Sequence, residues 1–140
     1  MKKNKNAADV QGLAEKRKNK KVSIDLMPCF MVHIARLLDS KGNSAYDHYV
    51  KVPSELLADV TELTCTLDYP IEEPHTFKIP FDKRNFGGIT YIDVDSLCMA
   101  VAKEYKVLKR TKGFIFHVLS DFWIEDMKIE GNELIVSIGS

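Results

Sequence analysis

The sequence predicts an α+β domain with a mostly antiparallel sheet that ends in a C-terminal β-hairpin, its helices packed on one side. Three observations carry this. First, "WIEDMKIEGNELIVSI" alternates on both sides of Gly131-Asn132, a dipeptide suited to a two-residue hairpin turn. With that turn Ile129 pairs with Leu134, Met127 with Val136 and Glu125 with Ile138, and five of those six side chains are apolar. Second, residues 96–108 place Leu97, Val101, Tyr105 and Leu108 along one helical stripe. Third, the segments 45–52 and 76–81 alternate with the period of strands.

In chain order, residues 1–21 read as a basic arm, flexible or a frayed helix: Val10, Leu13 and Ala14 form too narrow a stripe to dock, and Gly12 interrupts it. The domain proper spans 22–140. In "DLMPCFMVHIARLLDSKG", Pro28 opens and Gly42 ends a helix that is apolar nearly all round and therefore buried. Tyr46, His48, Val50 and Val52 share one face of the following strand, with Asp47, Tyr49 and Lys51 on the other. "PSELLADVTELT" reads as a helix capped by Ser54, with Leu56, Leu57, Val60 and Leu63 as its stripe. Residues 65–75 read as an exposed loop.

"TFKIPF" is a strand that Pro80 confines to a sheet edge or a strand end. "DKRNFGG" is a loop closed by a tight glycine turn, followed by the strand "ITYIDV" and the helix over 96–108, with Gly113 beyond it. "FIFHVL", apolar on both faces, reads as a central strand, and the hairpin completes the chain.

With 140 residues, 45% hydrophobic and 29% charged, the chain has the composition of one ordinary globular domain. The neutral total hides a polarised molecule. Residues 1–21 hold eight bases against two acids, a balance of +6, so residues 22–140 carry −6. Cys29, Cys65 and Cys98 are odd in number and widely spaced, which fits reduced, buried thiols in an intracellular, cytoplasmic protein, or a nuclear one in a eukaryote. The expected chain has no secretory signal, since no apolar run of the required length follows the basic start, and no membrane span.

Candidate chemistry is sparse. Cys29 and His33 stand four apart, a spacing zinc can bridge, but no second ligand pair completes a site, and a core histidine is the simpler reading. Asp93 and Asp95 in "YIDVDSL" are similar to the Asp-x-Asp of nucleotidyltransferases, with Gly87-Gly88 upstream. Only four residues separate Gly88 from Asp93, shorter than that family's interval, and a carboxylate there also caps the following helix. Lys83 and Arg84 beside the glycine pair lack the spacing of a phosphate loop. Cys65 with His75 ten residues on lacks a nucleophile elbow. No catalytic residue, metal or cofactor is assigned, and the balance lies against an enzyme.

The favoured reading is a small protein-binding protein of the inhibitor, immunity or adaptor type, acting through an acidic surface that bears aromatics. Tyr and Trp add contact area at low entropic cost, so the candidate partner residues are Tyr69, Glu72, Glu73, Asp121, Trp123 and Glu125. Tyr46, Tyr49 and Phe86 are further aromatics next to loops or on strand faces, and Asp68, Asp126, Glu130 and Glu133 extend the acids. The alternative is nucleic-acid association through Lys2, Lys3, Lys5, Lys16, Arg17, Lys18, Lys20 and Lys21. No helix-turn-helix, RNP-type aromatic strand or zinc finger accompanies them. The arm also resembles a bipartite nuclear import signal. A second alternative is a metal-dependent phosphoryl-transfer enzyme using Asp93 and Asp95. Oligomeric state is not legible.

Overall fold

A computed structural model describes residues 23–26, 31–40, 48–114 and 117–140. Along them run β1 (Ser23–Asp25), β2 (Val32–His33), α1 (Ile34–Asp39), β3 (Tyr49–Pro53), a 3-10 turn (Ser54–Leu57) and β4 (Glu62–Leu67). There follow β5 (His75–Pro80), β6 (Lys83–Phe86), β7 (Ile89–Asp93), α2 (Val94–Thr111), a second 3-10 turn (Leu119–Asp121), β8 (Trp123–Glu130) and β9 (Glu133–Gly139). The basic arm, Pro28, Cys29 and Tyr46 lie outside the described residues.

The fold is α+β with a largely antiparallel sheet, and its C-terminal hairpin forms in the predicted register. Glu130 pairs with Glu133, Ile129 with Leu134 and Met127 with Val136 around Gly131, whose φ of 61° is the left-handed conformation such a turn requires. One pair differs. A bulge between Ile124 and Asp126 sets Ile124, not Glu125, opposite Ile138. The bulge ejects the single polar member of the predicted face and returns Ile124 to the core, where it is fully buried.

The larger sheet has the order β1-β8-β9-β4-β5, with β2 also pairing β8. Its central strand is β9, antiparallel to β8 and parallel to β4 through Thr64 with Glu133 and Cys65 with Leu134. Leu63, Cys65, Leu67, Ile79, Ile124, Met127, Ile129 and Leu134 form its buried face. Against that face packs α2, burying Leu97, Cys98, Val101, Ala102, Tyr105 and Leu108, so the predicted stripe holds at each position. The end of α2 is closed by the amides of Lys112 and Gly113, both donating to the Leu108 carbonyl.

A second sheet of order β3-β7-β6 is entirely antiparallel and feeds α2 directly from β7. Its hairpin turns at Gly87 and Gly88, whose φ values of 59° and 80° need residues without a β-carbon.

Four expectations need correction. Among the described residues of the helix expected after Pro28, only Ile34–Asp39 are helical: Val32 and His33 pair with β8 instead, and Met31 is 54% exposed rather than buried. The Ser54 helix is a single 3-10 turn, after which the chain becomes β4, so residues 62–67 of the expected helix and loop are strand. The Ser54 hydroxyl makes no cap and is buried without a partner among the described residues. Lys83–Phe86, expected in a loop, is β6. Of the "FIFHVL" segment, Phe114, His117 and Val118 are outside any strand, Leu119 enters the second 3-10 turn, and residues 115–116 lie outside the description.

Candidate functional site

Four of the six predicted partner residues gather at the end of the larger sheet where β8 begins and β9 finishes. Tyr69 reaches it from the loop between β4 and β5, because the buried Tyr105 hydroxyl donates to the Tyr69 carbonyl at 2.6 Å and pins that loop to α2. The Tyr69 hydroxyl lies 3.1 Å from His117 Nε2 and 2.7 Å from Ser140 Oγ. Asp121 Oδ2 stands 3.4 Å from His117 Nδ1 and accepts the Val118 amide at 3.1 Å. One tautomer satisfies the whole chain: Nδ1–H faces Asp121, Nε2 accepts from Tyr69, and Ser140 donates to Tyr69. The phenol ring is thus fixed in orientation while 37% of the residue stays exposed.

Trp123, also 37% exposed, is held by a tilted contact with His33, 4.7 Å between ring centroids. His33 itself bonds the Ser120 carbonyl at 2.8 Å and caps α1 by accepting the Arg36 amide. It is a satisfied structural histidine, half-buried rather than in the core. Glu125 sits at the bulge, its carboxylate lying across Gly139 in the space a β-carbon would take. Phe122, immediately before β8, is fully buried and meets Tyr69, Tyr105, Phe114 and His117, an aromatic floor joining the Tyr69 loop to α2.

Glu72 and Glu73 stand apart from this quartet. They line an open cavity of about 510 Å³ with Lys112, Gly113 and Phe114. The Phe114 ring, 4.9 Å from that of Phe122, connects the cavity to the floor of the neighbouring cluster. The cavity therefore offers two carboxylates, one cation and an aromatic wall.

The other candidates are placed less suggestively. Asp93 accepts the Ser96 amide at 3.3 Å and the Ser96 hydroxyl at 2.8 Å, which makes it the cap of α2, and Asp95 lies in the first turn. Among the described residues no three His, Cys, Asp or Glu side chains are grouped to hold a metal ion. Cys65 is buried, which pushes its thiol up to about 12, with the nearby Glu104 adding to the shift. His75 is 2.7 Å from Glu104 and stacks on Phe77. Lys83 turns inward, donating to the carbonyls of Leu57 and Val60, and is not presented to an anion at the glycine turn.

Sequence reasoning missed one surface. The registers Lys51 to Tyr91, Tyr91 to Arg84 and Ile89 to Phe86 bring Tyr49, Lys51, Tyr91, Ile89, Arg84 and Phe86 onto the outward face of the β3-β7-β6 sheet. Tyr49, Arg84, Asn85, Phe86 and Tyr91 line an open hollow there of about 580 Å³. The alternation of Tyr49 with Lys51 was visible, but Arg84 and Phe86 join the face only once residues 83–86 are a strand. No family model, curated protein or solved structure matches this chain.

Proposed function

We propose that this chain is a protein-binding module that receives a basic segment of another protein on its acidic, aromatic-bearing end, in the manner of an inhibitor, immunity factor or adaptor. One observation carries the reading: at the end of the sheet where Trp123 opens β8 and Glu125 lies across Gly139, Tyr69 and Asp121 are joined through His117, and the Glu72–Glu73 cavity reaches this end through Phe114 and Phe122. Aromatic anchors bind well when their orientation is set before the partner arrives, since less conformational freedom is then lost. The hydrogen bonds on Tyr69 and the His33 contact on Trp123 supply that preorganisation. The carboxylates around them steer and select a cationic partner. The buried, strongly shifted thiols and the capping role of Asp93 favour binding over catalysis as the work of the described residues.

The test is affinity capture with the full chain at physiological salt, beside a Glu72→Lys/Glu73→Lys variant and a Trp123→Ala variant. A partner retained by the native chain and absent from both variants supports the proposal. A partner retained equally by all three contradicts it.

A further inference from the structure

The outward face of the β3-β7-β6 sheet carries a chemistry opposite to that of the acidic end. Each strand contributes one ring: Tyr49 from β3, Tyr91 from β7 and Phe86 from β6. Phe86 is 78% exposed and Tyr49 45%, and Ile89 beside them is 39% exposed, an unusual amount of apolar surface for three short strands. The cations are placed among the rings rather than around a rim. Lys51 Nζ lies 5.6 Å from the Tyr91 ring centroid, and Arg84 is the register partner of Tyr91 on the other side. Among the described residues of these three strands, the acid on this face is Asp93, opposite Tyr49 and engaged with Ser96, and Asp82 stands exposed just before β6.

We propose that this face binds single-stranded nucleic acid, with bases stacking on Tyr49, Tyr91 and Phe86 and phosphates meeting Lys51 and Arg84. A sheet face with rings on adjacent strands and interleaved cations matches the two needs of an unpaired strand, a π-surface for each base and a positive charge for each phosphate. Charge complementarity selects this occupant over a protein partner. Residues 22–140 carry −6 as a whole, yet this face presents Lys51 and Arg84, and the +6 of residues 1–21 adds sequence-independent attraction for a phosphate backbone. A duplex is disfavoured because its bases are already stacked on one another and hidden from the rings. The proposal shares no residue with the acidic end, so either can fail alone.

The experiment is fluorescence anisotropy on the full chain with labelled oligo-uridine RNA, oligo-thymidine DNA and a duplex, each roughly ten nucleotides long. The variants are Phe86→Ala, Tyr49→Ala and Arg84→Ala, and circular dichroism of each checks its fold. Phe86 is so exposed that its truncation removes little packing. Binding of either single strand in preference to the duplex, weakened by between about fivefold and about a hundredfold in Phe86→Ala, is the expected result. The ratio of RNA to DNA affinity then identifies the sugar preferred. Binding that falls with salt but ignores Phe86→Ala and Tyr49→Ala overturns the proposal, because charge alone then accounts for it. So does a chain that binds no single strand and instead sediments as a dimer that Phe86→Ala converts to monomer.

Discussion

Asp93 receives two hydrogen bonds from Ser96, so a carboxylate that resembles half of a metal-binding pair serves as a helix cap. Asp93→Ala should cost about 1 kcal/mol in urea unfolding, and Asp93→Asn should cost far less because asparagine caps as well as aspartate. Ser54 presents the converse. Its buried hydroxyl has no partner among the described residues, so Ser54→Ala should leave stability unchanged or raise it by up to about 1 kcal/mol. The thiols set a pH dependence. Burial, with Glu104 near Cys65 and with Asp95 and Asp93 near Cys98, pushes both from 9.0 up to about 12 in the folded chain. Between those values the unfolded chain has released the thiol protons and the folded chain retains them, so stability falls as pH rises through that window. Urea midpoints across it should fall more steeply for the native chain than for Cys65→Ala/Cys98→Ala, each compared with its own value at neutral pH.

At the scale of elements, β4 has the most to teach. Leu56, Leu57, Val60 and Leu63 repeat at helical spacing, and Leu63, Cys65 and Leu67 repeat at strand spacing, so Leu63 belongs to both patterns. The sheet decides between them: as a strand, residues 62–67 pair with both β5 and β9 and bury Leu63, Cys65 and Leu67, whereas the helix would have left Cys65 and Leu67 in a loop. Leu63→Ala should therefore destabilise by about 2–5 kcal/mol, a core-strand penalty measurable by thermal or urea unfolding. β6 was illegible for another reason. The positions that alternate with Arg84 and Phe86 are Lys83 and Asn85, engaged by the Leu57 and Val60 carbonyls and by the Thr90 hydroxyl, so it has no apolar alternation to read. Its hairpin was legible in the glycine pair. Gly88→Ala should cost about 1–2 kcal/mol from backbone strain alone, since a β-carbon there meets nothing within 4 Å. The hairpin of β8 and β9 and the stripe of α2 were readable because turn chemistry, period and burial agree there. The bulge was not, although Glu125, the single acid on the predicted apolar face, marked its position.

On the scale of the whole molecule, the charge split of the sequence has a counterpart in the described surfaces. One end gathers fixed aromatics and carboxylates, and the small sheet presents aromatics with cations. Sequence pattern named the residues of the first surface without showing that the fold brings four of them to one end of the sheet, because Tyr69 and Trp123 are 54 positions apart and Tyr69 arrives there through contacts with His117 and Phe122. Trp123 is the chain's only tryptophan, so its fluorescence reports this end without a label. The most direct test of the protein-binding reading is a titration of that fluorescence with a short arginine-rich peptide, with an acidic peptide of equal length as control. A saturable change with the basic peptide alone, abolished in Glu72→Lys/Glu73→Lys, is the predicted result; no response to the basic peptide, or an equal response in that variant, would contradict it.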